Sequence, residues 1–239
     1  NEDKKSGEKA DEQHQVYKAF SRALCLFSFP EEVGVRRYPS HFKHMLKEID
    51  TFDQGLNKDE DGDAQTNASN AYESHKHGLM AKLRQQAHSV LDDENLVKYG
   101  IKYYECMKRV QESMGPVLIY SQFREVEGIG IMQEVLQVRG YYPLDVVKKA
   151  TGDWELKLPP KAHWKNPFFI VFTQDKEKNK ILVDLFNGDT MKLSKNIIEQ
   201  LGMIKKERGL KHDDNKYGDY VKMLLITQSG AEGISLKNV

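Results

Sequence analysis

Two short polar clusters carry residue types suited to holding phosphate. Ser121-Gln122 follows the apolar run Pro116-Val117-Leu118-Ile119-Tyr120, and the stretch from Thr227 to Ser235 (TQSGAEGIS) follows Met223-Leu224-Leu225-Ile226. Hydroxyl and amide side chains bond phosphate oxygens without reading a base. Gly230 and Gly233 let the chain turn sharply and leave N–H groups exposed to an anion. A tight turn with no ligand uses the same glycines, and the local sequence leaves both readings open. No G-x-x-x-x-G-K-[ST] occurs, so the chain has no Walker A loop. G-x-S-x-G, H-E-x-x-H and the protein-kinase set are absent too.

Other constellations are weaker on chemical grounds. Asn57-x-Asp59-x-Asp61-Gly62 copies the start of a calcium loop, but Ala68 stands where the bidentate glutamate belongs. Asn67-Ala68-Ser69 is a glycosylation sequon that has meaning only in a secreted chain. His41, His44, His75 and His77, with Glu48, lack the tight four-ligand spacing of a zinc site and read as surface histidines. Gly128-Ile129-Gly130 resembles part of a dinucleotide fingerprint. It lies several residues past its strand, and Gln133 replaces the third glycine, so close helix packing is the better account.

The elements that must position the two clusters are legible in the periodicity. Residues 116–121, Phe168–Phe172 and Met223–Thr227 are short apolar runs of the kind that form strands buried on both faces. Helical spacing follows the first two, over Glu125–Val138 and through Ile181, Leu182, Leu185 and Phe186. Strands alternating with helices predict an α/β domain with a mostly parallel sheet, whose ligands bind beyond the carboxyl ends of the strands. Both clusters lie at such ends. The stretch 143–166, with Trp154 and Trp164, reads as a surface excursion beside the sheet, its tryptophans packing rather than stacking on bases.

The first half is mainly helical. Val16, Tyr17, Phe20, Ala23, Leu24 and Phe27 recur at helical spacing up to Pro30, and a short helix is expected over Ser40–Ile49. Tyr72, Leu79, Met80, Leu83, Ala87, Val90 and Leu91 predict a further helix. Asp92 or Asp93 caps another, carrying Leu96, Val97, Ile101, Tyr104, Met107 and Val110. Residues 1–11 read as disordered and 51–70 as an acidic flexible linker.

Composition bounds the function. The 239 residues hold 36 basic and 36 acidic side chains, which excludes a uniformly basic coat or an acidic solvating tail and leaves a local basic patch open. Two cysteines, Cys25 and Cys106, exclude a disulfide scaffold and suit a reducing, intracellular compartment. No apolar run approaches the roughly 18 residues of a membrane span. The chain begins at Asn1 rather than methionine, and a longer parent is expected.

Together the two clusters resemble something more specific. PVLIYSQF at 116–123 is similar to the motif that opens the second motor lobe of superfamily 2 helicases, particularly the Swi/Snf-like branch. MLLITQSGAEGISL at 223–236 resembles the fifth helicase motif. SGAEGISLKNV is closest in spelling to helicase-like nucleoside triphosphatases of poxviruses and giant viruses. Residues 17–30, Arg124–Tyr141 and 168–188 resemble the pieces that precede and separate these motifs. The resemblance implies an incomplete RecA-like C-terminal helicase lobe over 115–239, preceded by a helical interlobe segment at 12–50 and lead-in helices at 71–114.

By that resemblance Ser121, Gln122, Thr173, Thr227, Gln228 and Ser229 contact the nucleic-acid backbone, DNA or RNA. Gly230, Glu232, Gly233 and Ser235 face bound nucleotide, Ser235 more weakly than the aspartate found in a related branch. Gln174 stands where relatives often have glycine. ATP and magnesium are implied for the parent, held mainly by an absent first lobe, with an arginine finger from a sixth motif beyond Val239. This chain alone is expected to be inactive. The implied partners are nucleic acid, the first lobe and transcription machinery, in a virion or the host cytoplasm. The alternative from another class is a non-catalytic α/β module that binds a nucleotide or a protein. If the helicase reading holds, Ser121 and Thr227 point from neighbouring strand ends into one groove.

Overall fold

In the computed structural model the described residues are 21–39, 41, 61–227 and 234–239, with side chains from 69 onward in the third stretch. The readings on 1–20, 42–60 and 228–233 lie outside them, among them Gln228, Ser229, Gly230, Glu232 and Gly233. The chain divides into two units, 1–101 and 102–239.

In the first unit, α1 (Asp61–Gln85), α2 (Ala87–Val90) and the start of α3 (Asp93–Glu112) carry the expected apolar stripe. Leu79, Met80, Leu83, Val90, Leu91 and Leu96 are buried with Ala23, Phe27 and Val33. Helix α1 covers Asp61–Gln85, so the second half of the expected linker is helical. Ala64, Gln65 and Ala68 are fair helix formers, so acidic composition did not separate linker from helix. Asp92 caps α3, its Oδ1 accepting from Asn95 N at 2.8 Å. Non-helical backbone at Gly100 bends α3 and rotates its apolar stripe. Beyond the bend Tyr103, Met107 and Val110 are buried, while Val97 and Ile101, expected on the inner face, are about half exposed.

The second unit is an α/β fold around a four-stranded parallel sheet, as expected of a partial RecA-like lobe. Its strands β1 (Val117–Tyr120), β2 (Tyr142–Pro143), β5 (Phe168–Val171) and β6 (Met223–Ile226) lie in the order β1-β6-β5-β2. The central strands carry the most apolar sequences, and Phe168, Phe169, Ile170, Met223, Leu224 and Leu225 are fully buried. β1 departs from expectation. As an edge strand among the described residues it is only half-buried, with Tyr120 53% exposed. β2 is the other edge, where Pro143 needs no ladder N–H.

Around the sheet pack α4 (Ile131–Val138), α5 (Lys176–Asn187) and α6 (Lys195–Arg208). Asp175 caps α5, accepting from Lys178 N. Gly188, at φ +71°, ends it. A Cβ there would stand 2.4 Å from Asn215 N. Helix α6 was not expected. Its signal was present in the Ser194 cap, the i, i+4, i+7 set Ile197, Leu201 and Ile204, and the Gly209 stop.

The 143–166 stretch is more than an excursion. It holds the antiparallel hairpin β3 (Asp145–Lys148) and β4 (Trp154–Lys157), with Leu144, Val146 and Leu156 buried in the lobe core. The Gln200 amide closes the edge of β4. Its Oε1 accepts from Leu156 N at 2.7 Å, and its Nε2 donates to Leu156 O at 3.1 Å. Trp154 and Trp164 pack against the same core, as expected. No helix among the described residues is long and apolar enough to cross a membrane.

Candidate nucleic-acid interface

The parallel register of β1 on β6 pairs Tyr120 with Ile226 and brings Ser121 beside Thr227 at the carboxyl edge. Ser121 N extends the ladder by donating to Ile226 O at 3.0 Å. Gln122, next along, is exposed to solvent. Two polar segments 106 positions apart in sequence thus meet because their strands are neighbours.

The turn behind Ser121 is tightly built. Ser121 Oγ accepts from Phe123 N at 3.1 Å, and Ile129 N donates to Phe123 O at 3.0 Å. The chain then winds through a π-helical turn, Val126–Gly130, before entering α4. A Cβ on Gly128 would stand 1.7 Å from Phe123 O, and one on Gly130 1.7 Å from Glu125 O. Close backbone approach therefore explains Gly128-Ile129-Gly130. Tyr103 braces this turn from α3, its hydroxyl donating to Glu127 O and Gly128 O. Burial pushes the Tyr103 phenol well up, so it stays a donor.

Thr173 follows β5, and its polar groups are committed inward. Its N–H and hydroxyl both donate to Asn179 Oδ1, at 2.9 and 3.2 Å, and its carbonyl accepts from Asn179 Nδ2 at 2.8 Å. Its Oγ1 also accepts from Asp175 N at 3.2 Å. The hydroxyl proton is spent, leaving one lone pair at most for an outside donor. Gln174 is exposed at the tip of the turn.

Ser235 is exposed on a segment that Asn187 clamps. Asn187 Nδ2 donates to Ser235 O at 2.8 Å, and its Oδ1 accepts from Lys237 N at 2.9 Å. Asp189 reinforces the clamp, pairing with Lys237 at 2.5 Å and Lys192 at 2.9 Å. Hydrogen bonds from Lys237 and then Lys192 hold its carboxyl below the ordinary carboxylate range. Between α5 and this segment lies a cleft of about 440 Å3, with Phe172, Val183 and Ile234 among its apolar lining.

Sequence reasoning missed the buried amides that hold these loops. Asn215 Nδ2 donates to Phe186 O and Val221 O, both at 2.8 Å, while its Oδ1 accepts from Tyr220 N and Val221 N. Asn179 shares a helical stripe with Leu182 and Phe186, all three buried. A lone amide on an apolar stripe was its available signal. Arg208 was missed as well. Its guanidinium donates to the carbonyls of Trp164, Asn166 and Asp219 and lies 4.2 Å from the Phe168 ring centre. Burial lowers it to about 10, and it stays protonated. Lys222 Nζ donates to Ser113 O and Gly115 O, both at 2.7 Å, tying the entry of β1 to β6.

His41 and His77 are exposed, whereas His75 is half-buried rather than at the surface. His41 Nδ1 accepts from Tyr38 N, and His75 Nε2 from Arg37 N. Among the described residues no group of three His, Cys, Asp or Glu side chains could hold a metal.

Comparison with known proteins adds a viral relationship. The chain is 29% identical over 140 residues to proteins named "Termination factor NPH-I homolog" from African swine fever virus, in isolates from a Kenyan pig and a Malawian tick. The match covers 55% of this chain and 18% of each relative, so the chain spans a small part of the relatives' length. No protein-family model matches, and no solved structure matches.

Proposed function

We propose that this chain is the second-lobe part of a viral, nucleic-acid-dependent nucleoside triphosphatase of helicase or translocase type, linked to transcription. The observation that carries the reading is the β1–β6 register, which gathers Ser121, Gln122 and Thr227 at one strand edge. The relatives' printed name, a termination factor, supports the link to transcription.

In this reading Ser121, Gln122, Thr173 and Thr227 face the sugar-phosphate backbone, joined by Gln228 and Ser229. The Thr173 hydroxyl proton is already given to Asn179, so at this turn the donor available to a phosphate is the exposed Gln174 amide beside it. Gly230, Glu232, Gly233 and Ser235 form one wall of the ATP cleft. Residues 115–239 are the lobe, 71–114 lead into it, and 12–50 form the interlobe segment. The chain has no Walker A loop, and no acidic set converges among its described residues. The magnesium and the Walker cradle would therefore come from another lobe. ATP supplies the transferable phosphoryl group. The residues here hold the strand in register.

Nucleic-acid-stimulated ATP hydrolysis by the full-length protein tests the reading. Gln122→Ala with Thr227→Ala is expected to raise the oligonucleotide concentration for half-maximal stimulation about tenfold, the worth of one or two polar contacts. The rate at saturating oligonucleotide should change little. Wild-type binding should weaken as salt rises, because phosphate contacts release counterions. An unchanged half-maximal concentration, or binding indifferent to salt, would sink the proposal.

A further inference from the structure

We infer that the cleft between α5 and residues 234–237 is a binding site for a phosphorylated nucleoside, with Lys176 and Lys180 on the phosphate and the base over Phe172, Val183 and Ile234. The choice of a nucleoside rests on the proposed function; the site itself rests on the geometry. Its volume of about 440 Å3 falls within the range of small-molecule sites. Phe172 directly follows β5, so one end of the cleft lies at the carboxyl end of that strand, and Asn187, Asp189 and Lys192 continue its lining past the far end of α5.

The polar groups around the cleft divide into spent and unspent. Asn179 is committed to Thr173, and Asn187 to Ser235 O and Lys237 N. Asp189 is shared by Lys192 and Lys237, and Asp184 lies 3.7 Å from Lys192. Lys176, Lys180 and the Ser235 hydroxyl remain. No described side chain pairs with either lysine. The two lysines lie one helical turn apart and so share a face of α5. Two adjacent ammonium groups call for an anion, and the apolar floor calls for a flat apolar body. Inorganic phosphate leaves the floor bare, and a neutral aromatic leaves the ammonium groups uncompensated. A nucleoside phosphate satisfies both, either as a free triphosphate or as one unit of a bound strand.

Photolabelling the full-length protein separates the two sources. One arm uses an azido-adenosine triphosphate and the other an iodouracil-containing oligonucleotide, with labelled peptides mapped by mass spectrometry. Label is expected within 172–187 or 234–237 from one of them. Lys176→Glu with Lys180→Glu should cut it about tenfold or more, since charge-assisted contacts are lost. Both lysines are exposed, so thermal unfolding of the double variant should match wild type. No label in these segments from either probe, or label unchanged by the double reversal, overturns the site. Stimulated ATP hydrolysis without cleft labelling overturns this inference alone. Cleft labelling without stimulated hydrolysis upholds the site and overturns the proposed function.

Discussion

Asn179 holds Thr173 from both sides of the residue, taking its N–H and hydroxyl at 2.9 and 3.2 Å and giving a hydrogen bond to its carbonyl at 2.8 Å. One side chain on α5 thereby sets the shape of the turn after β5. Asn179→Ala leaves two donors and one acceptor without this partner and should cost about 1–3 kcal/mol. Asn179→Asp keeps the acceptor but sets a buried carboxylate oxygen against Thr173 O, so it should cost at least as much as alanine. Denaturant unfolding of the three proteins checks the order.

Asn215 is 1% exposed and makes four hydrogen bonds to backbone. Removing its amide strands two carbonyls and two N–H groups in the lobe core. Asn215→Ala should destabilise the lobe by about 2–4 kcal/mol, in the upper tail of single substitutions. A loss below about 1 kcal/mol would mean that water replaces the amide.

Gly128→Ala places a methyl against backbone, with Phe123 O 1.7 Å away and Ser121 Oγ 2.6 Å away. Neither obstacle is the end of a flexible chain. The π-helical turn must open, at a cost of about 3 kcal/mol, and Ser121 must move. Unfolding midpoint and oligonucleotide affinity should fall together. Gly78→Ala is the control, since nothing lies within 4 Å of its Cβ position.

Asp189 gives the clamp on residues 234–237 an acid dependence. Its pKa is lowered by hydrogen bonds from Lys237 and then Lys192, so its contribution is present above the ordinary carboxyl value of 3.8 and is lost as pH falls through the lower folded value. Hydrogen exchange at Lys237 N should therefore be steady from neutral pH to about 4 and accelerate, relative to intrinsic rates, below that. Asp189→Asn should flatten the transition. The pair is partly exposed, so added salt should shrink the effect as well.

The legible parts of the fold were those set by local pattern. The three apolar runs became β1, β5 and β6, and the stripe Leu79–Leu91 became the buried face of α1 and α2. Helix α6 was readable from its cap, stripe and stop, while β2 was too short to show a period. Local pattern does not state which strand lies at an edge, so β1 was expected to be buried on both faces. Nor does it show a bend such as Gly100, which exchanged Ile101 and Tyr104 for Tyr103 on the inner side of α3.

The sequence by itself determined the identity and order of the polar clusters, the alternation of strands and helices, and the absence of a Walker A loop. These follow from residue types and short-range periodicity, which act within a few positions of the chain. Only the tertiary structure decided that Ser121 stands beside Thr227, that Thr173 is spent on Asn179, and that Lys176 and Lys180 face a cleft closed by Ile234 and Lys237. Each of these joins elements through sheet order, register or a side-chain amide. Such pairings are selected by which surfaces bury together, and no local spacing encodes that choice.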